Sequence, residues 1–149
     1  MTLLELIKTM EAVASDQPSI NMIVENDIFR LNSRADAKYG VFAFVQGQHS
    51  SSVDSSVITY AFNLFYVDRL TNDRSNQIEI QSVGIQVLDN IIRTLDGMGI
   101  YSDSDYSFQV FNQRFVDECA GVFCNVSLSV PVGSVCGESL DIKNNVIIV

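Results

Sequence analysis

The stretch Val57-Ile58-Thr59-Tyr60-Ala61-Phe62-Asn63-Leu64-Phe65-Tyr66-Val67-Asp68 decides the fold. Ile58, Tyr60, Phe62, Leu64 and Tyr66 fall on one face of an extended chain, and Val57, Thr59, Ala61, Asn63 and Phe65 on the other. A run this long, rich in aromatic and β-branched residues and bounded by polar segments, predicts the strongest strand in the chain. Just before it, Tyr39 to Gln48 behaves the same way, with Val41, Ala43 and Val45 alternating against Phe42, Phe44 and Gln46. The serine-rich segment His49 to Ser56 joins the two, so they read as an antiparallel hairpin with a flexible tip.

Upstream, Leu3, Leu4, Leu6, Ile7, Met10 and Val13 recur at helical spacing and predict a helix from Thr2 to Ala14. Ser15-Asp16-Gln17-Pro18-Ser19 stops it, because the residue before proline disfavours helix. Ile28-Phe29-Arg30-Leu31 reads as the first strand and Asn32 to Lys38 as a polar turn. Downstream, Thr71-Asn72-Asp73-Arg74-Ser75 offers several N-caps to a second helix. Its inner face is Ile80, Gly84, Val87, Leu88, Ile91, Ile92 and Leu95, with Gly97 as C-cap and Gly99 in the following turn. Phe108 to Phe115 and Gly121 to Val130 read as two further strands, ended by Pro131 and Gly133. The order α-β-β-β-α-β-β implies an α+β fold, a mostly antiparallel sheet with two main helices packed on one face. Residues 1–133 form one domain, and 134–149 form a tail whose apolar end must dock on its own or a neighbouring subunit.

Composition narrows the functional classes. The chain has 149 residues, 47% of them hydrophobic, enough for one real core. Nine Lys and Arg stand against 18 Asp and Glu, a net charge of −9. Lys8, Lys38 and Lys143 are scattered, which argues against direct binding of nucleic acid, whose phosphates require a basic face. The amphipathic start, interrupted by Glu5 and Lys8, reads as a helix and not as a signal peptide, and no run reaches the length expected of a membrane span. Cys119, Cys124 and Cys136 are an odd set without zinc spacing, as expected of thiols in a reducing cytoplasm.

No common catalytic constellation is present. The single histidine, His49, sits beside Ser50, Ser51 and Ser52 but lacks a glycine-flanked nucleophile elbow, so it reads as a polar loop residue. Asp103-Ser104-Asp105 opens like a calcium loop, yet Phe108 stands where the turn glycine belongs and Arg114 where the closing glutamate belongs. Gly97-Met98-Gly99 ends a helix, whereas a phosphate loop begins one. Asp68 and Asp73, flanked by Arg69 and Arg74, read as ion-pairing and capping residues. The expectation is therefore a non-enzyme without catalytic, cofactor-binding or metal residues.

Three stretches carry a resemblance: Phe65 to Asp73, Ile80-Gln81-Ser82-Val83-Gly84 onward to Leu95, and Arg114 to Val122. Together with the element order, they resemble the tail-terminator and neck-ring connector proteins of tailed bacteriophages, of the kind found in Bacteroidetes and crAss-like phages. The resemblance implies a structural virion protein, made in the host cytoplasm and placed at the head–tail junction. Its partners would be identical subunits in a ring of six or twelve, then portal, other neck-ring or tail-tube proteins. DNA would only pass through the lumen, and no membrane is involved. On that reading the candidate subunit-interface residues are Gln48, His49, Ser51 and Val53 in the loop, Asp68 and Arg69 in the first resembling stretch, and Val146, Ile147, Ile148 and Val149 in the tail. Two other classes fit the residues: a small cytoplasmic protein-binding adaptor, and an enzyme whose site is built from aspartates and tyrosines.

Overall fold

The computed structural model describes residues 1–28, 38–103, 105–114, 118–132, 142 and 145–149. Its elements are α1 (Leu3–Ser15), β1 (Met22–Glu25), β2 (Val41–Gln46), β3 (Ser50–Ser51), β4 (Val57–Arg69), α2 (Gln77–Gly97), β5 (Tyr101–Ser102), β6 (Phe108–Arg114), β7 (Glu118–Pro131) and β8 (Ile147–Ile148). All eight strands join one sheet in the order β5-β7-β4-β2-β1-β8, with β3 beside β4 and β6 beside β7. β4 is its spine. It runs antiparallel to β2 through Val41↔Val67 to Gln46↔Phe62, and antiparallel to β7 through Val57↔Pro131 to Arg69↔Cys119. Among the described strands the parallel pairings are those of β1, with β2 and with β8. The fold is α+β with a mixed, mostly antiparallel sheet.

Register explains why one face carries the helices. Phe42 and Phe44 of β2, Phe62, Leu64 and Tyr66 of β4, and Val122, Cys124 and Val126 of β7 share that face and are buried. Leu6, Met10 and Val13 of α1 and Ile80, Val87, Leu88, Ile91, Ile92 and Leu95 of α2 close over them in one core. α2 comes closest at Gly84. A Cβ there would stand 2.9 Å from both Tyr66 and Val122, so the contact needs glycine. A capping box starts α1, in which Glu5 accepts from the Thr2 N–H at 2.6 Å and Thr2 Oγ1 accepts from the Glu5 N–H at 3.2 Å.

α2 departs from expectation at both ends. Its N-cap is Asn76, whose side chain makes no capping bond and instead ties the β4–α2 loop. Asn76 Oδ1 accepts from the Thr71 N–H at 2.9 Å, and its Nδ2 donates to the Arg69 carbonyl at 3.1 Å. At the other end Gly97 is still helical, and the turn falls two residues later at Gly99, whose φ is +85°. The Ile100 N–H reaches the Leu95 carbonyl and the Gly99 N–H the Asp96 carbonyl, a Schellman closure with Leu95 and Ile100 both buried.

The first described strand is Met22–Glu25, a segment to which the sequence reading assigns no strand. Of the strand expected at Ile28 to Leu31, Ile28 is buried beyond the end of β1, and Phe29, Arg30 and Leu31, with Asn32 to Ala37 of the expected turn, lie outside the described residues. An inner strand covered on both faces shows a continuous apolar run instead of alternation, and Met22-Ile23-Val24 is such a run. Ile23 faces the main core, while Met22 and Val24 join Val41, Ala43, Val67 and Cys119 in a second cluster on the other face.

Candidate subunit interface

The expected interface residues separate into two groups. Gln48, His49, Ser51 and Val53 follow β2 at one end of the sheet, and this connection is more structured than a flexible loop. The Gly47 N–H donates to the Ala61 carbonyl at 2.7 Å, and Ser50 and Ser51 pair with Thr59 and Ile58. His49 Nδ1 accepts from the Ala61 N–H at 3.2 Å, which leaves the proton on Nε2 to donate to Gln46 Oε1 at 3.0 Å. Gln46 Nε2 in turn donates to Asn26 Oδ1 at 2.9 Å. The imidazole packs edge-on against Tyr60, ring centroids 5.3 Å apart, and against Phe62 at 5.8 Å. Both ring nitrogens are thus engaged, and His49 anchors the β3 arm to β4. Beyond the arm, a turn closes from the Ser55 N–H to the Ser52 carbonyl, and Val53 is fully exposed at its tip.

Asp68 and Arg69 lie at the other end of β4, about 23 Å from Ala61 along the strand. Burial raises the Asp68 carboxyl above its usual range, opposed by the Arg69 N–H at 2.7 Å and a longer bond from the Tyr66 hydroxyl at 3.3 Å. Arg74 pairs with Glu118 at 3.1 Å, an exposed contact. Asp73 accepts from the Thr71 hydroxyl at 2.8 Å and the Ser75 N–H at 3.1 Å, and these bonds hold its carboxyl below the usual range.

The tail lies at the same end of the sheet as Asp68. Ile147 pairs with Met22 and Ile148 with Ile23 of the same chain. Two further bonds extend the ladder, Glu25 N–H to the Val149 carbonyl and Val149 N–H to the Ile23 carbonyl, both 3.0 Å. Val146 and Ile148 pack against the main core, and Val149 against the second cluster. Of the two destinations expected for the tail, its own sheet is the one this chain displays. Residues 133–141, 143 and 144 lie outside the described ones, Cys136 and Lys143 among them.

Two arrangements were not anticipated from sequence. Glu11 of α1 is 5% exposed and shares a hydrogen bond with Glu25 of β1; burial, then that bond and the neighbouring charge, push its carboxyl up to about 8. The second is an aromatic cluster on the helix-free face, in which Phe65, Phe111 and Phe123 stand with ring centroids 5.7–6.3 Å apart.

The chemistry elsewhere is sparse. An open cleft of about 420 Å³ beside the end of α2 is lined by Arg93, Asp96, Asp103 and Tyr106 among others. At its rim Asp89 accepts from the Tyr106 hydroxyl at 2.6 Å and from Arg93 Nε at 2.7 Å, bonds that hold its carboxyl below the usual range. Among the described residues no three His, Cys, Asp or Glu side chains come together as a metal site, and no helix is long and apolar enough to cross a membrane. Compared with protein-family models and with curated proteins, the chain matches none.

Proposed function

We propose that this chain is a structural subunit of a homo-oligomeric ring at the head–tail junction of a tailed phage, joining portal or neck to tail around a lumen through which DNA passes. The observation that carries the ring is the sheet's outline. Its outermost described strands, β5 and β6 on one side and β8 on the other, include apolar residues presented to solvent: Val110 of β6 is 56% exposed and Ile147 of β8 37%. Edge strands are templates for pairing with another chain. A contact between two different edges is heterologous, and it closes into a ring when the rotation between subunits permits. The head–tail location rests on the resemblance of the three stretches named above.

Light scattering on the eluting protein tests the ring. Wild type should have the mass of six or twelve copies of the 16.5 kDa chain, about 99 or 198 kDa. Val110→Lys, an exposed change at the β6 edge, should reduce that mass to no more than two subunits while leaving the melting temperature in place. A wild type that stays at one or two copies at all concentrations favours the adaptor reading and overturns the ring.

A further inference from the structure

We propose that the open part of the helix-free sheet face is a self-complementary surface on which a second copy of this chain docks face to face about a two-fold axis. At the β1–β2 side this face is closed over by the second cluster. Across β4, β7 and β6 no described helix or strand packs on it: Ala61, Phe65, Phe111 and Phe123 are half-buried and Asn125 is exposed.

Charge distinguishes this face from the rest of the molecule. Pairing fixes which side each strand residue occupies, and the acids of the described strands all fall on the helix side: Glu25 opposite Phe44, Asp68 opposite Ala120, and Glu118 opposite Arg114. On the helix-free side the described strands carry one charge, Arg69, at the end of β4. Two molecules of net charge −9 repel. Salt screens charges beyond about 8 Å, so the residues within the contact decide whether two copies can meet. Like charges placed opposite one another cost several kcal/mol in an interface. Among the described strand residues this face has no acids, and between those residues that cost is absent.

Its polar groups also fit a second copy better than other partners. Asn63, Asn125, Ser127 and Ser129 extend from one side of the aromatic cluster along β4 and β7, and amides and hydroxyls both donate and accept, so identical faces can bond each other across a two-fold axis. Nucleic acid would require a cluster of cations, and the described strands place only Arg69 on this face. A lipid surface would leave the amides without partners. This contact is isologous and therefore separate from the edge-to-edge contact that closes a ring; with both present, it would join two rings back to back.

Charge reversal at Asn125 tests the proposal, since the side chain is exposed and its replacement should not disturb folding. In sedimentation velocity, wild type should form twofold assemblies, of single chains or of rings. Asn125→Glu and Asn125→Lys should each weaken that step at least tenfold, and an equimolar mixture of the two should restore it. Asn112→Glu, exposed on the other face of the sheet opposite Ala120, should leave the twofold step unchanged. Pairing that survives Asn125→Glu, or a mixture that fails to recover, overturns the proposal. So does a wild type with no twofold step. Loss of rings with pairs retained would refute the ring alone, and loss of pairs with rings retained would refute only the face.

Discussion

Phe62→Ala probes the packing on which the rest depends. Phe62 is 1% exposed on the helix side of β4, where it meets Phe44 edge-on with ring centroids 6.0 Å apart and touches the imidazole of His49. It is fixed from both sides, by Gln46 across the β2 ladder and Val126 across the β7 ladder. Neither neighbouring strand can shift to fill the space, so truncation should leave a cavity, and such changes cost about 3–5 kcal/mol. The lost edge-on contact contributes about 1 kcal/mol of that figure. For a domain of this size a loss of about 4 kcal/mol lowers the melting temperature by about 8–16 °C. It should move the urea midpoint down by about 2 M at unchanged slope. Equilibrium urea unfolding followed by circular dichroism measures both quantities. A loss below about 1 kcal/mol at unchanged slope would mean that Phe62 is not a core residue and that the β4 register is wrong.

Glu11→Gln should remove a pH dependence. A carboxyl whose folded pKa is raised from 4.5 to about 8 binds its proton more tightly when folded, so wild-type stability should fall as pH rises through that window. The variant should lose most of that slope and gain about 1–3 kcal/mol at pH 8.5; parallel pH profiles for the two proteins would contradict the buried carboxyl pair. His49→Ala leaves the Ala61 N–H without its acceptor and should cost about 2–3 kcal/mol. Hydrogen exchange at Ser50, Ser51 and Ala61 should accelerate, and unchanged protection there would refute the anchor. Deleting residues 146–149 removes the bonds to Ile23 and Glu25 and should lower the stability of the single chain by about 1–3 kcal/mol. A melting temperature that stays put would return the tail to a neighbouring subunit.

Local periodicity accounts for what could be read beforehand. β2, β4 and α2 are long enough for a period of two or of 3.6 to stand out, and Phe42, Phe62, Leu88 and Ile92 are buried where those periods put them. β1 escaped because a strand buried on both faces has no alternation to read. β3 and β5 are two residues each, and Ser50-Ser51 carries no hydrophobic signal at all. The pairing of Ile147 with Met22 joins the two ends of the chain, and no local pattern encodes it. The Glu11–Glu25 contact is of the same kind, since Glu11 reads as the polar face of an amphipathic helix until β1 is placed beneath it. The aromatic cluster was half legible: alternation already put Phe65 on the face opposite Phe62, but only the register of β6 and β7 brings Phe111 and Phe123 to it.

The most direct measurement is electron microscopy of the purified full-length chain in negative stain. Class averages should show closed annuli with six- or twelve-fold symmetry and a central opening. Fields of single 16.5 kDa particles, or of isolated pairs with no annulus at any protein concentration, would contradict the assignment as a ring subunit.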